Sequence, residues 1–69
     1  MSAIHVTLNG APREFAQAMT FAQLLDALAL AGKRLAIERN GEIVPRSSFG
    51  ETRLVDGDRI EVVIAVGGG

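Results

Sequence analysis

Apolar and polar residues change rhythm several times along the chain, and each change marks an element. Ile4, Val6 and Leu8 alternate with His5, Thr7 and Asn9, a period of two that turns one strand face into a core. Asn9-Gly10 follows, a pair that tolerates the positive φ of a tight hairpin turn, so Arg13 to Phe15 is expected to return with Phe15 inward. The rhythm then becomes helical, with Phe21, Leu24, Leu25 and Leu28 forming an i, i+3, i+4, i+7 stripe. Thr20 is placed to cap it, Gln23 completes a capping box, and Met19 and Leu24 supply a hydrophobic staple. Gly32 is the expected left-handed stop, giving a helix over about residues 21–31 with Lys33-Arg34 near its negative pole. Leu30 falls off the stripe.

Beyond the helix, Leu35 and Ile37 predict a third strand, and Asn40-Gly41 a second hairpin turn into Glu42-Ile43-Val44. Pro45 has no N–H to donate and ends that pairing. Arg46 to Glu51 reads as a loop with a helical turn pinned by Phe49, and Thr52-Arg53-Leu54 as a brief extended piece. Asp56-Gly57-Asp58 makes a turn, and a last strand opens at Arg59 or Ile60 and runs to Val66. One amphipathic helix covers one face of a small sheet, which predicts a two-layer α+β domain. Parity sends Ile60, Val62 and Ile64 toward the helix and leaves Val63 and Ala65 on the open face. With Val66 they are the candidate docking surface for a partner. The expected organisation is a domain over 1–66 and a flexible glycine tail over 67–69.

Composition narrows the function. A chain of 69 residues makes one small domain, too small to enclose a pocket on all sides. Seven basic residues against eight acidic give a net charge of -1, no footprint for nucleic acid or an anionic membrane. With no cysteine there is no disulfide, thiolate metal site or cysteine nucleophile. The N-terminus lacks the pattern of a secretion signal, and no apolar run approaches the ~18 residues of a membrane span. The expected location is cytoplasmic and the expected free state monomeric.

No side-chain constellation carries chemistry. His5 sits on the solvent side of its strand, and Asp56 and Asp58 lack the further oxygen donors of a calcium loop. Ser47-Ser48 has no base beside it, and Arg39, Arg46, Arg53 and Arg59 are scattered as solvated or partner-contacting residues. No catalytic residue, metal or bound cofactor is assigned. What remains is Val66-Gly67-Gly68-Gly69, an arm without side chains ending in a carboxylate. A carboxylate is a poor acyl donor until its oxygen joins a good leaving group, and an acyl-adenylate must be kept from water. Glycines let such an arm enter a narrow channel, since they have no Cβ to meet the wall.

Strand-turn-strand, helix, and a final strand ending in Gly-Gly resemble the β-grasp fold of ubiquitin and its prokaryotic relatives. The second half resembles the ThiS family of thiamin-pathway sulfur carrier proteins more closely. The similar stretches are Ile37-Glu38-Arg39-Asn40-Gly41-Glu42-Ile43-Val44-Pro45-Arg46, Leu54-Val55-Asp56-Gly57-Asp58-Arg59-Ile60-Glu61 and the terminal glycines. The resemblance implies a ubiquitin-like β-grasp with a small mixed sheet and one main helix on one face. It also implies that Gly69 is the residue modified. An E1-like partner would use ATP, with Mg, to adenylate its carboxylate, and sulfur, ultimately from a cysteine desulfurase, would convert it to a thiocarboxylate. Thiazole synthase would take that sulfur. Gly68 matches the family's terminal pair and Gly67 is an extra glycine, both entering partner active sites. The chain would then be a protein co-substrate and not an enzyme. The alternatives are the small subunit of molybdopterin synthase, a ubiquitin-like modifier joined through Gly69 to target lysines, and an interaction module with an inert tail.

Overall fold

The computed structural model describes residues 3–65. The alternating segment forms strand β1, Ile4–Leu8, and the return forms β2, Ala11–Phe15. Helix α1 covers Phe21–Ala27, and β3, Leu35–Arg39, and β4, Glu42–Val44, make the second hairpin. A 3₁₀ turn at Arg46–Ser48 precedes β5, Arg59–Ile64. The strands lie side by side in the order β2-β1-β5-β3-β4, so the last strand is the middle one. It runs parallel to β1 and antiparallel to β3. This is the two-layer α+β arrangement expected from the alternation, and α1 covers one face.

Both hairpins turn as their sequences require, with Asn9 at φ 49 and Gly10 at 83, and Asn40 at 52 and Gly41 at 88. Two consecutive positive angles match the right-handed twist of the flanking strands. The core gathers Ile4, Val6 and Leu8 from β1, Phe21, Leu24 and Leu25 from α1, Ile37, Val44, Ile60 and Val62 from the other strands, and Phe49 and Leu54 from the loop. Phe15 and Met19 pack on its margin. The loop after the 3₁₀ turn also serves the helix start. Phe49 C=O accepts from Ala22 N–H at 2.9 Å and Thr52 C=O from Phe21 N–H at 3.0 Å, filling needs that a helix N-terminus leaves open. The extended piece at 52–54 is only a single bridge, Arg53 to Thr20, not a strand.

The helix start is as expected: Thr20 Oγ1 accepts from Gln23 N–H at 3.1 Å and Gln23 Oε1 accepts from Thr20 N–H at 2.9 Å. Its end is not. α1 stops at Ala27, a turn before Gly32, so Lys33 and Arg34 lie beyond its negative pole and its last turn holds no basic residue. Leu28 caps it and Ala29 takes the left-handed conformation at φ 59. Leu30 N–H then donates to Leu25 C=O at 2.8 Å and Ala29 N–H to Asp26 C=O at 3.1 Å, the paired bonds of a Schellman motif. That motif favours an apolar residue just past the turn, packed back on the helix. Leu30 is that residue and lies against the core, which explains its place off the stripe. Gly32, at φ 83, serves the following turn.

Asp58 is the one buried charged residue among those described, at 6 % exposure. Its carboxylate accepts from Val55 N–H at 2.8 Å, Arg39 Nε at 3.2 Å and Asn40 Nδ2 at 3.2 Å. Arg39 also lies over the Phe21 ring, its guanidinium carbon 5.6 Å from the centroid. The turn before β5 is thereby tied to β3 and α1. Arg39, expected on the solvated surface, is a structural contact.

Replacing Asp58 with alanine leaves three donors without their acceptor and should cost about 3 kcal/mol in urea unfolding. A loss below about 1 kcal/mol would show the network to be dispensable. Ala29→Gly should go the other way, raising stability by about 0.5 kcal/mol by relieving a Cβ at positive φ, less the entropy glycine loses. A fall in melting temperature would contradict that reading of the cap.

Candidate docking face and tail exit

β5 carries the chain out of the sheet. Its last residues pair with the start of β3, Ile64 opposite Leu35 and Val63 opposite Ala36. Ala65 N–H donates to Arg34 C=O at 2.9 Å, so the chain is held to the last described residue. Val66, Gly67, Gly68 and Gly69 lie outside the described residues. The expected modification at Gly69 and the docking role of Val66 therefore have no geometry here.

The register also fixes what surrounds the exit. On the open face Val63 is 56 % exposed, with Ala65 exposed beyond it, as parity predicted. Ala36 joins Val63 from β3, and Glu38 lies between Glu61 of β5 and Ile43 of β4, which is 63 % exposed. The face is apolar near the exit and acidic one row back. Glu38 and Glu61 are direct cross-strand partners, an arrangement that like charges disfavour. On the other face Ile64 has its expected side but not its expected burial: it is 42 % exposed, while Ile60 and Val62 are buried.

The remaining candidates do not converge. A cleft of about 220 Å³ on the helix side has Leu25 and Phe49 in its lining, with Asp26, Lys33 and Arg46 beside them, but no nucleophile with a base. No group of three histidines or carboxylates among the described residues could hold a metal. No described helix is long and apolar enough to cross a membrane. His5 is exposed as expected, yet it is bound at the far end of the open face. Its main-chain N–H donates to Asp56 Oδ1 at 2.7 Å, its ring Nδ1 lies 3.2 Å from the same oxygen, and Nε2 is 3.8 Å from Glu14. The main-chain bond from His5, more than the ring contact, holds the Asp56 carboxyl below its ordinary 3.8.

A five-stranded mixed sheet gripping one helix, with the last strand at its centre, is the ubiquitin-like β-grasp. The chain belongs to the ThiS family, whose model matches residues 6–69. It is 42% identical over 50 residues to the sulfur carrier protein ThiS of Bacillus subtilis, covering 72% of this chain and 76% of that one. The crystal structure of a thiamine biosynthesis protein (ThiS) from Geobacter metallireducens superimposes with a TM-score of 0.81 at 35% identity, over 96% of this chain and all of the other. The chain is also 42% identical over 64 residues to a thiazole synthase of Paramagnetospirillum magneticum, spanning 93% of its own length but 20% of that protein. A thiazole synthase of Magnetococcus marinus matches over the same fraction, 20%, at 39% identity.

The Asp56 geometry has a pH consequence. A folded-state pKa lowered from 3.8 adds stability that is present above that value and lost as pH falls through the folded value. The stability gap between wild type and Asp56→Ala should therefore be constant near neutrality and narrow in acid, read by thermal melts across pH. A gap unchanged throughout the acid range would refute it.

Proposed function

We propose that this chain is a cytoplasmic sulfur carrier for thiazole formation, with the carboxylate of Gly69 as the group that is modified. An E1-like enzyme brings ATP and Mg, and the carboxylate attacks the α-phosphorus and releases pyrophosphate. A persulfide of the activating enzyme, charged ultimately by a cysteine desulfurase, attacks the carbonyl carbon and displaces AMP to give an acyl disulfide. A thiol then cleaves the S–S bond, releasing the thiocarboxylate and leaving a disulfide behind. Thiazole synthase then accepts the sulfur. The chain acts as co-substrate, binding neither ATP nor metal itself.

The observation that carries the proposal is the position of β5. The central strand, hydrogen-bonded on both sides, delivers residue 65 at the sheet's end, next to exposed Val63 and Ala36, and in the sequence only Val66 separates it from the glycines. Docking of Val63, Ala65 and Val66 on the activating enzyme supplies the free energy that ordering the glycines consumes, roughly 1–2 kcal/mol for each residue. Glu38 and Glu61 suit a partner with a cationic rim, which would relieve their repulsion. A thiazole synthase partner is supported by the two proteins of that name in which a stretch similar to this chain makes up 20% of the length.

The test is ATP–pyrophosphate exchange by the activating enzyme. The full chain should support exchange, and a chain lacking Gly68-Gly69 should not, with the same melting temperature in both. Exchange by the truncated chain would overturn the assignment of Gly69. Offering the thiocarboxylate to thiazole synthase and to the molybdopterin synthase large subunit then separates the two carrier pathways, and turnover is expected only with the first.

A further inference from the structure

Pairing with β3 fixes which main-chain groups of β5 point where. Arg59 C=O accepts from Asn40 N–H at 2.8 Å and Ala65 N–H donates to Arg34 C=O at 2.9 Å, so the odd-numbered residues face β3. Ile60, Val62 and Ile64 therefore face β1. Ile60 C=O accepts from Asn9 N–H at 2.9 Å. Val62 is matched by a side chain: its N–H donates to Asn9 Oδ1 at 2.7 Å and its C=O accepts from Asn9 Nδ2 at 3.3 Å. At Asn9-Gly10 the chain turns away toward β2. Ile64 is next, and its N–H and C=O have no partner among the described residues.

This short open edge differs from the outer ones. β2 carries Pro12 on its edge, and β4 has only three residues before Pro45, both ordinary devices against unwanted pairing. The edge at Ile64 has neither. Its flanking side chains are apolar and exposed, Val63 at 56 % on one face and Ile64 at 42 % on the other. An amide donor and acceptor with no partner among the described residues, between two exposed apolar side chains, is matched by one kind of ligand, an extended backbone.

We propose that the enzyme which activates the tail lays an extended segment of its own chain beside Ile64, in the space β1 leaves beyond Asn9. This rests on the carrier reading and deepens it. The added strand fixes the direction of the residues that follow Ile64, so the carboxylate is aimed before the glycines are ordered. A second copy of the chain is a poorer occupant, because one residue's donor and acceptor with two small side chains bury far less than the ~1,200 Å² of a stable interface.

The test follows amide hydrogen exchange of the full chain, alone and with the activating enzyme, ATP and Mg. Ile64 should exchange quickly in the free protein and at least about tenfold more slowly in the complex, while Val63, facing β3, stays slow in both. Ile64→Pro removes the N–H at a position that makes no bond to β3, and Ile64→Ala removes only side chain. The proline variant should show a KM for adenylation about tenfold above that of the alanine variant, at unchanged kcat. If the wild type is not adenylated, the carrier reading itself fails. If it is adenylated with Ile64 unprotected, strand addition alone is wrong, whether or not the proline variant folds. Protection of Ile64 that appears in the free protein as its concentration rises would assign the edge to self-pairing instead.

Discussion

Everything in this fold depends on the last strand being gripped from both sides. β5 enters between β1 and β3 only after both are in place in the sequence, and its parallel contact with β1 extends through just Thr7–Arg59 and Leu8–Ile60. Two asparagines lengthen the grip. Asn9 continues the β1 ladder with its side chain to Val62, and Asn40 accepts from Arg59 N–H at 2.9 Å where the β3 ladder would otherwise end. Asp58 holds the preceding turn to Arg39 and Asn40.

That arrangement suits the proposed role, in which the reacting group is the carboxylate of Gly69. The helix covers one face and leaves the other open, and the apolar surface of that face lies beside the exit at Val63 and Ala36. In the proposed role the acidic row behind it at Glu38 and Glu61 serves selectivity more than affinity, since exposed charges mainly steer association and reject like-charged surfaces.

The elements were legible because local chemistry specified them. Two Asn-Gly pairs, a capping box, a four-residue apolar stripe and strict alternation in β1 all agree with the final structure. The helix ends before the stop that Gly32 predicts because a better packing solution lies earlier in the chain. Leu30 gains core contact only if the left-handed residue is Ala29, so packing overrode the preference for glycine. The roles of Asp58, Asn40 and Arg39 were not legible at all. Each has an ordinary local explanation as a turn or surface residue, and its partners lie up to 19 positions away. Exposure of Val63 and Ala65 follows from parity, whereas parity gives Ile64 its side of the sheet and not its exposure.

The central claim is that sulfur rides on the carboxyl terminus and on no side chain. It is tested most directly by intact mass spectrometry with terminal fragmentation, after incubation with the activating enzyme, ATP, Mg and a sulfur donor. The expected result is a mass gain equal to exchanging one oxygen for sulfur, carried entirely by the fragment containing Gly69. Sulfur found on an internal fragment, or an unmodified chain beside an enzyme shown to be active, would contradict it.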